Sequence, residues 1–116
     1  MSPTYLSVTL VTVLANAGIA AADLARARFV LANSAEVGVP VGWIPPLAAL
    51  KAAGAAGLLV GLLGARPVGI AAGAGLVLFF VGAVAVHVRA RVFHNLAFPV
   101  TFLALATGSL ALAVAP

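Results

Sequence analysis

Asn16, Asp23, Lys51 and His87 lie inside or at the edge of apolar runs long enough to cross a membrane. A charge at mid-bilayer costs about 2.5–3.5 kcal/mol on insertion scales, and an amide also loses hydration there. A chain with two acidic and six basic residues keeps them at such positions only where they face one another, water or a ligand. A carboxylate, an ammonium, an imidazole and an amide at one place suit two chemistries. One is hydrogen bonding and proton relay to a lipophilic carbonyl compound such as a quinone. The other is general acid–base catalysis on a lipophilic substrate, by epoxide opening, cyclisation or isomerisation.

The elements that hold these residues follow from composition. The 116 residues are 65% hydrophobic and 7% charged, with mean hydropathy +1.27. A water-soluble domain carries about a quarter charged residues, so this is one domain of an integral membrane protein. The net charge of +4 rests on Lys51 and five arginines, with no aromatic-interleaved basic patch, which excludes nucleic acid as a partner. Absence of cysteine excludes disulfides, Fe–S clusters, thiolate metal sites and thiol relays. Met1-Ser2-Pro3-Thr4-Tyr5 has no basic residue ahead of the first apolar run, so that run reads as an anchor and not as a cleaved signal.

Four continuous Ala/Leu-rich runs, punctuated by Pro, Gly and Arg, predict an all-α membrane protein, an antiparallel four-helix transmembrane bundle. Its helices are expected at about 4–24, 47–65, 67–89 and 97–115. The continuous pattern excludes membrane strands. The link 25–46 reads as an extension of the first helix followed by an interfacial segment anchored by Trp43. Arg26, Arg28, Arg89 and Arg91 fall on one side of the membrane. With only Arg66 and the terminal amine opposite, the positive-inside rule puts both termini outside the cytoplasm.

Helical spacing sets the facing surfaces. Tyr5, Thr9, Thr12, Asn16 and Asp23 share one face of the first helix; Lys51, Gly54, Gly57, Gly61 and Gly64 one stripe of the second. Gly69, Gly73, Leu76, Phe80 and His87 share one stripe of the third. In antiparallel order Asp23, Lys51 and His87 reach one depth, with Arg89, Arg91, His94 and Asn95 nearby and Asn16 two turns deeper. The expected site has Asp23, Lys51 and His87 as the reactive groups. Asn16, Phe80, Trp43, Arg89, Arg91, His94 and Asn95 are its binding residues, with Phe80 on the wall and Trp43 on the roof. The Gly69/Gly73 stripe is the expected seam for a homo-oligomer.

Blander readings stand beside these. Asp23 and Lys51 near helix ends suit a register-fixing ion pair or snorkelling side chains, as in a non-catalytic structural subunit whose charges only hold the bundle. One buried histidine cannot provide both axial ligands of a haem, and His87, His94 and Asp23 have no metal-site spacing. No metal or haem is expected, and redox chemistry would need electrons from a partner protein.

The run Gly38-Val39-Pro40, Trp43-Ile44-Pro45 and Leu50-Lys51 through Leu59 resembles the first half of a DoxX-like membrane protein. Gly75 through Phe80, His87-Val88-Arg89 and Phe98-Pro99 resemble its second half. The resemblance covers nearly the whole chain, and the Lys-plus-Gly helix with a later helix-ending His is its most specific part. It implies a four-helix integral membrane fold and an association with quinone-linked redox chemistry, since some DoxX-type proteins are subunits of a thiosulfate:quinone oxidoreductase.

Overall fold

The computed structural model describes residues 1–115. Five helices form: α1 (Pro3–Leu24), α2 (Arg28–Glu36), α3 (Ile44–Leu62), α4 (Arg66–Arg89) and α5 (Ala97–Val114). A single 3₁₀ turn, Val41–Trp43, precedes α3, and the described residues contain no strand. The helix starts follow from backbone hydrogen bonding. Ser2 Oγ accepts from the Tyr5 N–H at 3.1 Å at the head of α1. α1, α3 and α4 carry proline in their first turn, where its missing N–H has no intrahelical partner to lose.

The first four helices end in the same way. After each, a residue in the left-handed region turns the chain: Arg26 (φ 54°), Gly38 (φ 78°), Gly64 (φ 126°) and Arg91 (φ 58°). The next N–H in each case bonds back five residues, as in Ala27 N–H to Ala22 O at 3.1 Å and Val92 N–H to His87 O at 2.9 Å. This is the Schellman closure, in which glycine is the easy occupant. Arginine at two of the four positions carries a steric penalty of roughly 1–2 kcal/mol each.

α1, α3, α4 and α5 form a ring in which α1 and α4 each pack against α3 and α5. Contacts along neighbouring pairs run in opposite sequence directions. Gly54, Gly57 and Gly61 of α3 meet Leu76, Ala72 and Gly69 of α4. Thr9 and Thr12 of α1 bond to Ser109 and Leu105 of α5. Each of the four helices is long and apolar enough to cross a membrane. The 41 Å long dimension matches a bilayer with its headgroups, about 40–45 Å.

Polar side chains are buried beside an apolar cluster of Leu58, Leu76, Phe80 and Ala106, and large apolar side chains cover the outside. Its largest fully buried side chains are Asn16, Thr9, Thr12 and Ser109, while Leu14, Leu63 and Leu78 are 70–81% exposed. Apolar burial brings no gain against lipid tails, so small residues and hydrogen bonds hold the helices together. At the tightest crossing, a Cβ on Gly61 would lie 2.6 Å from Gly69 Cα.

Two expectations change. The link 25–46 is not an extension of α1. Arg26 in the left-handed region ends that helix, and α2 starts afresh with Val30 and Ser34 turned inward. The Gly69/Gly73 stripe is not a free oligomer seam, because Gly69 is closed against Gly61 and Gly73 against Leu110 of the same chain.

Candidate functional site

The end of the bundle where α1 and α4 finish and α3 and α5 begin holds a cavity of about 490 Å³. α2 and the Val41–Trp43 turn border it, contributing Val30, Asn33, Ser34, Val37 and Trp43. Its walls are aromatic. Phe79 and Phe80 meet edge-on at 4.9 Å, Phe102 lies 5.2 Å from Phe80, and Phe98 stacks on Phe102 at 5.9 Å between centroids. Phe29, Phe98 and Trp43 are each more than half exposed, so they form a rim that meets the surroundings.

Asp23, Lys51 and His87, on three helices, all line this cavity and all are buried. The Lys51 ammonium touches Asp23 Oδ2 at 2.5 Å and lies 5.5 Å from the centre of the Phe79 ring, a distance at which the ring face attracts a cation. The two side chains are therefore a charge-matched pair on the cavity lining.

His87 belongs to a second polar group. Its Nδ1 lies 2.8 Å from the Ala83 carbonyl and its Nε2 lies 3.0 Å from Asn33 Oδ1. Asn95 Nδ2 donates to the same Asn33 oxygen at 2.8 Å. Each ring nitrogen thus has an oxygen within hydrogen-bond distance, and His87, Asn33 and Asn95 form one connected polar group.

The other residues singled out from sequence divide. Phe80, Trp43 and Asn95 line the cavity. Asn16 does not: it is fully buried deeper in α1, with Nδ2 donating to Thr12 O at 2.9 Å and Oδ1 without a partner. Arg89 and Arg91 are exposed outside the cavity. His94 is also exposed and contacts Glu36 at 2.7 Å, tying the α4–α5 link to the end of α2. Among the described residues no group of three His, Asp or Glu side chains is placed to hold a metal ion.

Sequence reading missed Asn33, which joins α2 to His87 and Asn95. The signal was present: Val30, Ser34 and Val37 recur at helical spacing and are buried, and Asn33 adjoins that face. Phe79, Phe98 and Phe102 were missed because an aromatic residue in an apolar run carries no sign of which neighbour it will face.

The model of the DoxX-like family matches residues 7–109, a stretch that contains every residue lining this aromatic cavity. The chain belongs to the DoxX-like family. Comparison with curated proteins and with solved structures gave no match. This DoxX-like chain is thus a multi-pass membrane protein with an aromatic cavity at one end of its bundle and two polar groups on that cavity's lining.

Proposed function

We propose that the cavity binds a lipophilic small molecule with a carbonyl-bearing ring, a quinone, which enters from the bilayer past Trp43, Phe29 and Phe98. The observation that carries this reading is the division of the lining between stacked aromatic rings and the Asp23–Lys51 and His87–Asn33–Asn95 groups. A volume of about 490 Å³ suits a ring with the first part of its tail, within the roughly 300–1,000 Å³ of small-molecule sites. Lys51 is the donor to one ring carbonyl oxygen, and His87 Nε2 donates to the other by exchanging its Asn33 contact for the ring. Asp23 and His87 are the groups that take up or release protons. Electrons for quinone chemistry come from a partner protein, since none of the side chains here is redox-active at ordinary potentials. The side of the bundle that carries Arg26, Arg28, Arg89 and Arg91 faces the cytoplasm on this reading, and both termini lie opposite.

Trp43 is the sole tryptophan and lies on the rim, so a bound quinone quenches its fluorescence. The test is a titration of protein in lipid nanodiscs with a short-tailed benzoquinone, with a non-quenching aromatic amide of similar shape as competitor. Saturable quenching that the competitor reverses, and that Lys51→Met and His87→Ala each weaken by about tenfold, equivalent to about 1.4 kcal/mol, is the expected result. Quenching that rises linearly with quinone in the bilayer and is unchanged in both variants would overturn the proposal.

A second reading, acid–base catalysis on an isoprenoid-like substrate, draws on the placing of the Asp23 carboxylate and the His87 imidazole on the lining of one aromatic cavity. It requires Asp23→Asn and His87→Ala each to abolish turnover while the bundle stays folded. Turnover that survives both substitutions removes it.

A further inference from the structure

Of the buried polar face of α1, only Asp23 lines the aromatic cavity. Tyr5, Thr9, Thr12, Asn16, Ala20 and Asp23 are all buried on one side of α1; the polar members fall at one-turn steps except that apolar Ala20 occupies the face between Asn16 and Asp23. At 1.5 Å per residue this file covers about 27 Å along the axis, close to the hydrocarbon thickness of a bilayer.

Each end of the file opens on a cavity. At Asp23 it is the aromatic cavity already described. At Tyr5 it is a second cavity of about 430 Å³, bordered by Tyr5, Ser2, Arg66, Gly61 of α3 and Gly64 of the α3–α4 turn. The Arg66 guanidinium lies 5.8 Å from the Tyr5 ring centre. Between the ends, Thr9 and Ser109 hydroxyls meet at 2.8 Å with either able to donate, which is the property a reversible proton relay needs. The Thr12 hydroxyl proton is shared between Val8 O at 2.7 Å and Leu105 O at 3.3 Å, leaving its oxygen free to accept. Asn16 Oδ1 is fully buried and has no donor among the described residues.

Adhesion alone accounts poorly for this pattern. Hydrogen bonds between membrane helices contribute about 0.6 kcal/mol on average, whereas an unsatisfied buried polar atom costs about 1–3 kcal/mol. Asn16 leaves such an atom where an apolar residue of similar size would leave none.

We propose that this face of α1 is a proton path joining the polar end of the aromatic cavity to the opposite membrane face, with water completing the step between Asn16 and Asp23. Its direction is set by the gradient, and it carries protons without electrons. It extends the quinone reading by supplying the protons that reduction of a ring carbonyl consumes or that oxidation releases, but the path is defined by α1 alone.

The test uses the full chain reconstituted in vesicles of phosphatidylcholine and phosphatidylglycerol with a trapped pH dye. A potassium gradient with valinomycin supplies the driving force. Wild-type vesicles are expected to change internal pH faster than protein-free vesicles, and Asn16→Leu to slow that flux by about tenfold. Asn16→Ser, which keeps a relaying hydroxyl, should retain flux and serves as the check if the leucine variant folds poorly. Thr9→Val with Ser109→Ala should also slow it. Trp43 quenching by the benzoquinone should be unchanged in all three. Wild-type flux equal to that of protein-free vesicles, or undiminished flux in a folded Asn16→Leu protein, would overturn the path. Quenching that persists without flux removes the path and leaves the quinone site; flux without quenching does the reverse.

Discussion

The Asp23–Lys51 contact allows a double-mutant cycle whose outcome is fixed by electrostatics. At 2.5 Å and an effective permittivity of about 20, two unit charges attract by roughly 6–7 kcal/mol. Removing each ion from water costs several kcal/mol, so the pair as a whole is close to neutral for stability. Loss of one partner is different, because the other remains a buried, unpaired charge. Both side chains are about nine-tenths buried, so screening by solvent is small. Asp23→Asn and Lys51→Met should each destabilise the bundle by about 3–5 kcal/mol. The double variant should recover much of that, with a coupling energy of about 2 kcal/mol or more, at the upper end of what contacting residues show. The assay is reversible unfolding of the purified protein in mixed micelles by denaturing detergent, followed by far-UV circular dichroism. Single variants that each lose less than about 1 kcal/mol and combine additively would refute the reasoning, since solvated, snorkelling side chains behave that way. Because the double variant keeps the fold without the charges, loss of quinone quenching in it separates binding from architecture.

Three further outcomes follow from particular contacts. Gly61→Ala puts a Cβ 2.6 Å from Gly69 Cα and should cost about 1–3 kcal/mol by forcing α3 and α4 apart, measured in the same unfolding assay. Asn33→Leu leaves the His87 and Asn95 donors without their acceptor, for about 1–3 kcal/mol; limited proteolysis should then cut first between Arg26 and Trp43. Cysteine is absent from the chain, so Ser2→Cys and Ala90→Cys each give a unique thiol at an exposed position. An impermeant maleimide applied to intact cells should label only Ser2→Cys, and labelling of Ala90→Cys would reverse the proposed orientation.

The sequence alone decided the membrane character, the number of spans and most of the inward faces. Unbroken apolar runs with proline at three starts admit only helices in hydrocarbon, where every backbone group needs a partner within its own segment. Because small and polar residues are what hold membrane helices together, the spacing of Gly69, Gly73, Leu76, Phe80 and His87 marked the buried face of α4, and that of Tyr5 through Asp23 the buried face of α1. Tertiary structure decided the rest. Whether α1 continued past Asp23 depended on Arg26 adopting a left-handed conformation, which residue type disfavours but the Schellman hydrogen bonds hold. Whether Gly69 and Gly73 faced another chain depended on Gly61 and Leu110 reaching them first. Asn33 became the centre of a polar network because α2 folds back over the bundle end, bringing together residues 54 and 62 positions apart. Periodicity within a helix tells which side is buried, but the partner on the far side of a contact is chosen by how the helices close into a ring.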